Sequence, residues 1–133
     1  MEDDLDDQEF IIECLQILDV KNVVHAFDDG REALSFLKTM KGQPFMIISD
    51  VNLPVMNGLQ LKAEIQNNEK LRAKSIPFIF LSTSADAKAV EEAFKLSVQG
   101  FFVKENTFEG IKQQLKQIID YWKSCKHPNF QEE

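Results

Sequence analysis

Hydrophobic and polar residues along the chain fall into alternating stretches of helical and extended character. Between Asp6 and Leu18, the apolar residues Phe10, Ile11, Cys14, Leu15 and Leu18 recur at three- and four-residue spacing, which predicts an amphipathic helix. Val23 to Phe27 reads as a short, partly apolar strand. Asp28-Asp29-Gly30 then opens a helix from Arg31 to about Met40, with an Asp available as its N-cap. Phe45 to Ser49 is a continuous apolar run after Pro44, of a length that suits a buried parallel strand. Asn52-Leu53-Pro54 and Asn57-Gly58 are turn signals before a helix at about Leu59 to Asn67. Asn67 to Ser75 is polar and predicted to be a loop. Ile76 to Leu81 is the most hydrophobic strand, and a helix from about Asp86 to Leu96 follows. Phe101 to Val103 reads as a strand, and a last helix begins near Thr107 and carries Ile111, Leu115, Ile118, Ile119 and Trp122. Pro128 ends it.

Strands separated by helices of about 10 to 15 residues imply parallel βαβ units with helices on both sheet faces. The expected class is therefore α/β, a doubly wound parallel sheet. The chain of 133 residues suits one domain, read as residues 1–126 with a polar tail at 127–133. Its 22 acidic against 15 basic side chains, a formal net charge of −7, argue against a nucleic-acid surface. No apolar run reaches the roughly 18 residues of a membrane span, and the acidic N-terminus does not resemble an export signal. Cys14 and Cys125 lie far apart without metal-ligand spacing, so reduced thiols and a cytoplasmic location are expected.

In a parallel sheet the ligand site is built at the carboxyl ends of the strands. Glu2 and Asp3 precede the first helix, Asp50 ends the Phe45–Ser49 run, Ser82 ends the Ile76–Leu81 run, and Lys104 ends the last strand. The sheet would bring carboxylates, a hydroxyl and an ammonium to one edge. Clustered carboxylates repel at roughly 4 kcal/mol per pair 4 Å apart with an effective dielectric near 20. Mg²⁺, a hard cation with oxygen ligands, relieves that repulsion and screens Asp50 for attack on a phosphoryl group. Lys104 and Ser82 would then meet the phosphoryl oxygens.

The stretch Ile48-Ser49-Asp50-Val51-Asn52-Leu53-Pro54-Val55-Met56-Asn57-Gly58 resembles the phosphoacceptor loop of response-regulator receiver domains. So do Glu2-Asp3-Asp4, Leu81-Ser82-Thr83-Ser84 and Gly100-Phe101-Phe102-Val103-Lys104, in the same order along the chain. The resemblance implies a flavodoxin-like (βα)5 receiver fold and a two-component signalling switch, not a conventional enzyme. It implies Asp50 as phosphoacceptor, with Mg²⁺ held by Asp3, Asp50, the Asn52 backbone carbonyl and, through water, Glu2. It makes Ser82 and Phe101 the switch residues and Lys104 the conserved-type lysine of the pattern. The implied partners are a sensor histidine kinase or histidine phosphotransfer protein, and a downstream protein target or a second copy. The face of the fourth helix, last strand and last helix would carry that contact. Ile119-Asp120-Tyr121-Trp122 with Pro128 resembles the single-domain regulators that pair with bacterial phytochrome-type kinases.

Taken singly, each residue has a blander reading. Asp50 can initiate a turn, Lys104 can be a surface lysine, Phe101 can simply pack, and the acidic start can be helix N-terminal charge with Asp4, Asp6 and Asp7 as bystanders. The chain also departs from the family. The apolar strand that normally precedes the acidic pair is absent ahead of Glu2, where only Met1 stands, so the start is expected to be incomplete or completed by a partner chain. Glu105 follows Lys104 where the family has a cis proline, and a non-proline cis bond costs about 2.5 to 4 kcal/mol. Three rival functions remain: a degenerate receiver that only docks, an aspartyl phosphohydrolase, and a flavin binder. The second would need an Asp where Asn52 stands, and the third a phosphate loop that is missing.

Overall fold

A computed structural model describes residues 1–2, 4–18, 20, 22–74, 77–83 and 85–126. Asp3, the expected direct metal ligand, Ile76, Ser84 and the tail at 127–133, with His127 and Pro128, lie outside the described residues.

Among the described residues, six helices and three strands follow in this order: α1 Leu5–Ile17, α2 Gly30–Thr39, β1 Ile47–Ser49, α3 Gly58–Gln66, α4 Glu69–Lys74, β2 Phe78–Ser82, α5 Ala87–Lys95, β3 Gly100–Val103 and α6 Phe108–Ser124. Local chemistry starts most of the helices. Asp4, Asp29, Asn57, Asp86 and Thr107 each stand in extended backbone and accept an amide of the first turn, satisfying donors that have no partner inside the helix. Asn57 and Gln60 complete a reciprocal capping box.

The strands form one parallel sheet in the order β1-β2-β3, with Ile48 opposite Ile79 and Phe80 opposite Phe101. Side chains alternate across it. Ile47, Phe78 and Phe80 join Leu34, Leu61, Ile65, Leu71 and Ala93 in a core under α2, α3, α4 and α5. Leu81, with Ile48 and Phe102 at its margin, meets Cys14, Leu15, Ile111, Leu115 and Ile119 from α1 and α6 on the opposite face. Every residue of β2 is buried, as expected for a central strand covered on both sides. The doubly wound arrangement is the expected one, reduced in strand number.

Three expectations need correction. Among the described residues, Val23–Phe27 forms no ladder, and Met1 and Glu2 lie between it and β1. There the Met1 amine donates to the Ile48 carbonyl at 2.5 Å, Asp50 N donates to Met1 O at 2.9 Å, and Glu2 N donates to Phe27 O at 3.0 Å. The bond from Glu2 to Phe27 is a single one, and a ladder needs a repeated pattern of them. The Phe45–Ser49 run pairs only from Ile47 onward, where Phe78 begins to face it. The segment expected to be a loop contains α4, which buries Leu71 to 2% exposure and is started by the Asn68 carboxamide accepting Leu71 N at 3.1 Å. One apolar anchor in six residues is too little for periodicity to detect.

Candidate functional site

Asp50 follows directly on β1, and Ser82 is the last residue of β2. Lys104 comes immediately after β3, with its amide donating to the Ser82 carbonyl at 3.0 Å. Parallel register therefore delivers all three to the same sheet edge. Glu2, Asp50, Ser82 and Lys104 are all buried, at 4%, 6%, 0% and 5% exposure. Buried polar groups at this density need partners, and here they find one another.

The Ser82 hydroxyl donates to Asp50 Oδ1 at 2.6 Å, and Asn52 N donates to the same oxygen at 3.2 Å. Lys104 Nζ reaches Asp50 Oδ2 at 3.4 Å and Asp7 Oδ2 at 3.1 Å, and it contacts Glu2 Oε2 directly. Burial alone would lower the Lys104 pKa, but Glu2, Asp50 and Asp7 outweigh it and hold the ammonium above the ordinary lysine range. Burial pushes the Glu2 carboxyl up to about 7, with the Lys104 hydrogen bond opposing and the Asp50 charge adding. Burial also pushes the Met1 amine down to about 6, against the pull of Glu2 and Asp50.

The loop after Asp50 is held tight. Gly58 N donates to Val51 O at 2.7 Å. A Cβ on Gly58 would overlap the Asp50 carbonyl and lie 2.7 Å from the Phe80 ring, so only glycine allows this approach. Val55 in this loop sits at φ 64, a conformation a β-branched side chain rarely adopts.

Asp7 belongs to the cluster, although the sequence marks it as a bystander. The first turn of α1, capped by Asp4, turns Asp7 toward Lys104. Gln114 is a second residue that sequence reasoning misses. From α6 its amide donates to Val103 O at 2.5 Å and accepts Glu105 N at 3.1 Å, bracketing Lys104 on both sides. Gly110 makes room for Glu105, whose Cβ would lie 2.6 Å from an added Cβ. Phe101 is half-buried, with its ring 5.6 Å from that of Phe80. The His25 ring lies 4.6 Å from that of Phe36, tilted by 39°.

Three carboxylates, Glu2, Asp7 and Asp50, face one ammonium. The resulting negative excess in a buried, oxygen-rich cleft suits a hard divalent cation. Among the described residues, the three acidic side chains whose oxygens lie closest together are instead Asp28, Asp29 and Glu32. They stand at the start of α2, where Asp29 serves as the cap.

The response regulator receiver domain family matches residues 1–116. A probable methanogenesis regulatory protein, FilR2 of Methanothrix harundinacea, is 32% identical over 71% of this chain, which spans 62% of that protein's length. The phosphorylated cyanobacterial phytochrome response regulator RcpA superposes with a TM-score of 0.87 at 28% identity, covering 96% of this chain and 94% of that one. The Mn(2+)-bound form of response regulator Rcp1 gives a TM-score of 0.80 at 25% identity, covering 96% of this chain and 95% of that one. No helix among the described residues is long and apolar enough to cross a membrane.

Proposed function

The chain belongs to the response regulator receiver domain family, whose members are phosphorylation-dependent signalling switches, and from that premise we propose that Asp50 is its phosphoacceptor. The observation that carries the reading is the meeting of Asp50 with Ser82 and Lys104, residues 32 and 54 positions away along the chain. A turn-initiating aspartate has no need of a buried lysine and a buried serine hydroxyl.

Asp50, Asp3, the Asn52 carbonyl and, through water, Glu2 would hold Mg²⁺. Bound there, the ion supplies charge neutralisation between the carboxylate and an incoming phosphoryl group. An Asp50 oxygen attacks the phosphorus of a phosphohistidine, the P–N bond breaks as the acyl phosphate forms, and the imidazole leaves with a proton from water. Lys104 turns from Glu2 to the phosphoryl oxygens and balances their charge. The Ser82 hydroxyl, now on Asp50 Oδ1, moves to the same group. The space it leaves is taken by Phe101, and the face of α5, β3 and α6 changes shape. Phe94, Val103 and Tyr121 are exposed at 53%, 58% and 64% on those elements, which supports that face as the surface read by a protein target or a second copy. The donor is a sensor histidine kinase or a histidine phosphotransfer protein. Residues 1–126 form the working domain, and the protein is a switch that acts in the cytoplasm.

Incubation with Mg²⁺ and acetyl phosphate, followed by intact mass, tests the reading. We expect a labile gain of one phosphoryl group in wild type and none in Asp50→Asn or without Mg²⁺. A folded wild type that stays unmodified would remove the phosphoacceptor and favour a docking module.

A further inference from the structure

We propose that Gln114 is a positioning residue for phosphoryl transfer, one that holds the Lys104 backbone in place while its ammonium changes partners. The inference rests on Asp50 as phosphoacceptor and deepens that reading.

β3 is an edge strand in the order β1-β2-β3. In a parallel ladder the N–H and C=O of one residue face the same side, and alternate residues face alternate sides. The Lys104 amide donates to Ser82 O at 3.0 Å, so Lys104 faces β2, while Val103 and Glu105 face away from it. On that outer side the Gln114 side chain donates from Nε2 to Val103 O at 2.5 Å and accepts Glu105 N–H on Oε1 at 3.1 Å. A residue of an added parallel strand standing opposite Lys104 would make the same two bonds. One carboxamide thus takes the place of a strand, and the Lys104 backbone is held from both sides.

The same face of α6 shapes the next residue. Gly110 lies one helical turn before Gln114, and a Cβ there would come within 2.6 Å of the Glu105 Cβ, so Glu105 rests directly against the helix. Thr107 caps α6 through Gly110 N, which fixes where this face starts. Glu105 stands where the family has proline, so its backbone lacks the restraint that a ring places on φ. Gln114 and Gly110 supply a restraint from the helix instead.

That restraint bears on the chemistry. Lys104 Nζ lies among Glu2, Asp7 and Asp50, and phosphoryl transfer requires it to leave Glu2 for the phosphoryl oxygens. With the backbone held, only side-chain torsions change in that exchange, and the ammonium arrives without reordering of the loop between β3 and α6. Geometry fixed before a reaction lowers its entropic cost, and a misplacement of about 1 Å can slow a reaction by about a hundredfold.

Gln114→Met keeps the length of the side chain and removes both hydrogen-bonding groups. Gln117→Met, on the exposed face of the same helix, is the control. The full chain is incubated with Mg²⁺ and acetyl phosphate, and modification is followed over time by intact mass. Gln114→Met should lower the rate about tenfold, within what two hydrogen bonds contribute, and leave Mg²⁺ affinity by calorimetry unchanged. In a Lys104→Met background the same substitution should have no further effect on the rate, because its action runs through that lysine. Hydrogen exchange gives a reading that needs no variant: in wild type the Glu105 amide should exchange at least about tenfold more slowly than the Asn106 amide. Modification of wild type and Gln114→Met at equal rates would overturn the inference alone. So would an equal loss with and without Lys104, which marks a general loss of fold, or an unprotected Glu105 amide. A wild type that takes no phosphoryl group overturns the phosphoacceptor reading, and the inference falls with it.

Discussion

Replacing Lys104 with Met keeps the length of the side chain and removes the one cation that three carboxylates share. Nζ lies 3.1 Å from Asp7 and 3.4 Å from Asp50 and touches Glu2, while the side chains of Lys104, Glu2 and Asp50 are 3%, 5% and 8% exposed. A unit pair at such distances is worth about 5 kcal/mol at an effective dielectric near 20. Desolvation of the ions offsets much of that, and removing one partner of a buried pair costs about 3 to 5 kcal/mol. Lys116→Met is the matched control. It removes the same charge from a pair with Asp120 at 2.8 Å, but those side chains are 55% and 60% exposed, and such helix pairs contribute about 0.3 to 0.5 kcal/mol. Urea unfolding at pH 7.5 in EDTA should therefore separate the two variants clearly. The pH dependence has a definite sign. Glu2, already raised to about 7 with Lys104 present, would be raised further without it. A carboxyl raised in the folded state stabilises fully below its unfolded pKa of 4.5 and loses that contribution as pH rises through the folded value. The Lys104→Met deficit should thus be small near pH 4.5 and grow above pH 7, and added Mg²⁺ should reduce it. A loss below 1 kcal/mol at pH 7.5, or one equal to the control, would refute the account of this cluster as a buried charge centre.

Two further outcomes follow from other positions. Lys62 is 1% exposed on α3 and has no ion-pair partner among the described residues, only the Phe78 ring 5.3 Å from its ammonium. Lys62→Met should stabilise the protein by about 1 to 2 kcal/mol at pH 7. Burial lowers the Lys62 pKa, so its penalty is absent above about 10.5 and appears as pH falls through the folded value; the gain in melting temperature should shrink toward pH 10. Gly58→Ala should destabilise by about 1 to 3 kcal/mol, because the added methyl meets the Asp50 backbone and the Phe80 ring. It should also slow modification by acetyl phosphate, and an unchanged rate would separate that loop from the chemistry.

Short-range pattern alone determined where α2, α5 and α6 begin, because a cap and its amide lie within three residues of each other. Asp29, Asp86 and Thr107 stand where the sequence places them. It also determined which polar residues end the strands, since Asp50, Ser82 and Lys104 each follow an apolar run. That these ends meet follows from parallel topology once three strands alternate with helices. The tertiary structure decided the rest. Val23–Phe27 has strand-like composition but no ladder, because a strand exists only with a neighbour that no local signal reports. Glu69–Lys74 became a helix through the burial of Leu71. Asp7 entered the site, and Gln114 came to bracket Lys104, through the angles at which α1 and α6 pack on the sheet. Hydrophobic periodicity carries the face of an element but not its partner across space, and the partners decide both the shortened sheet and the full charge of the site.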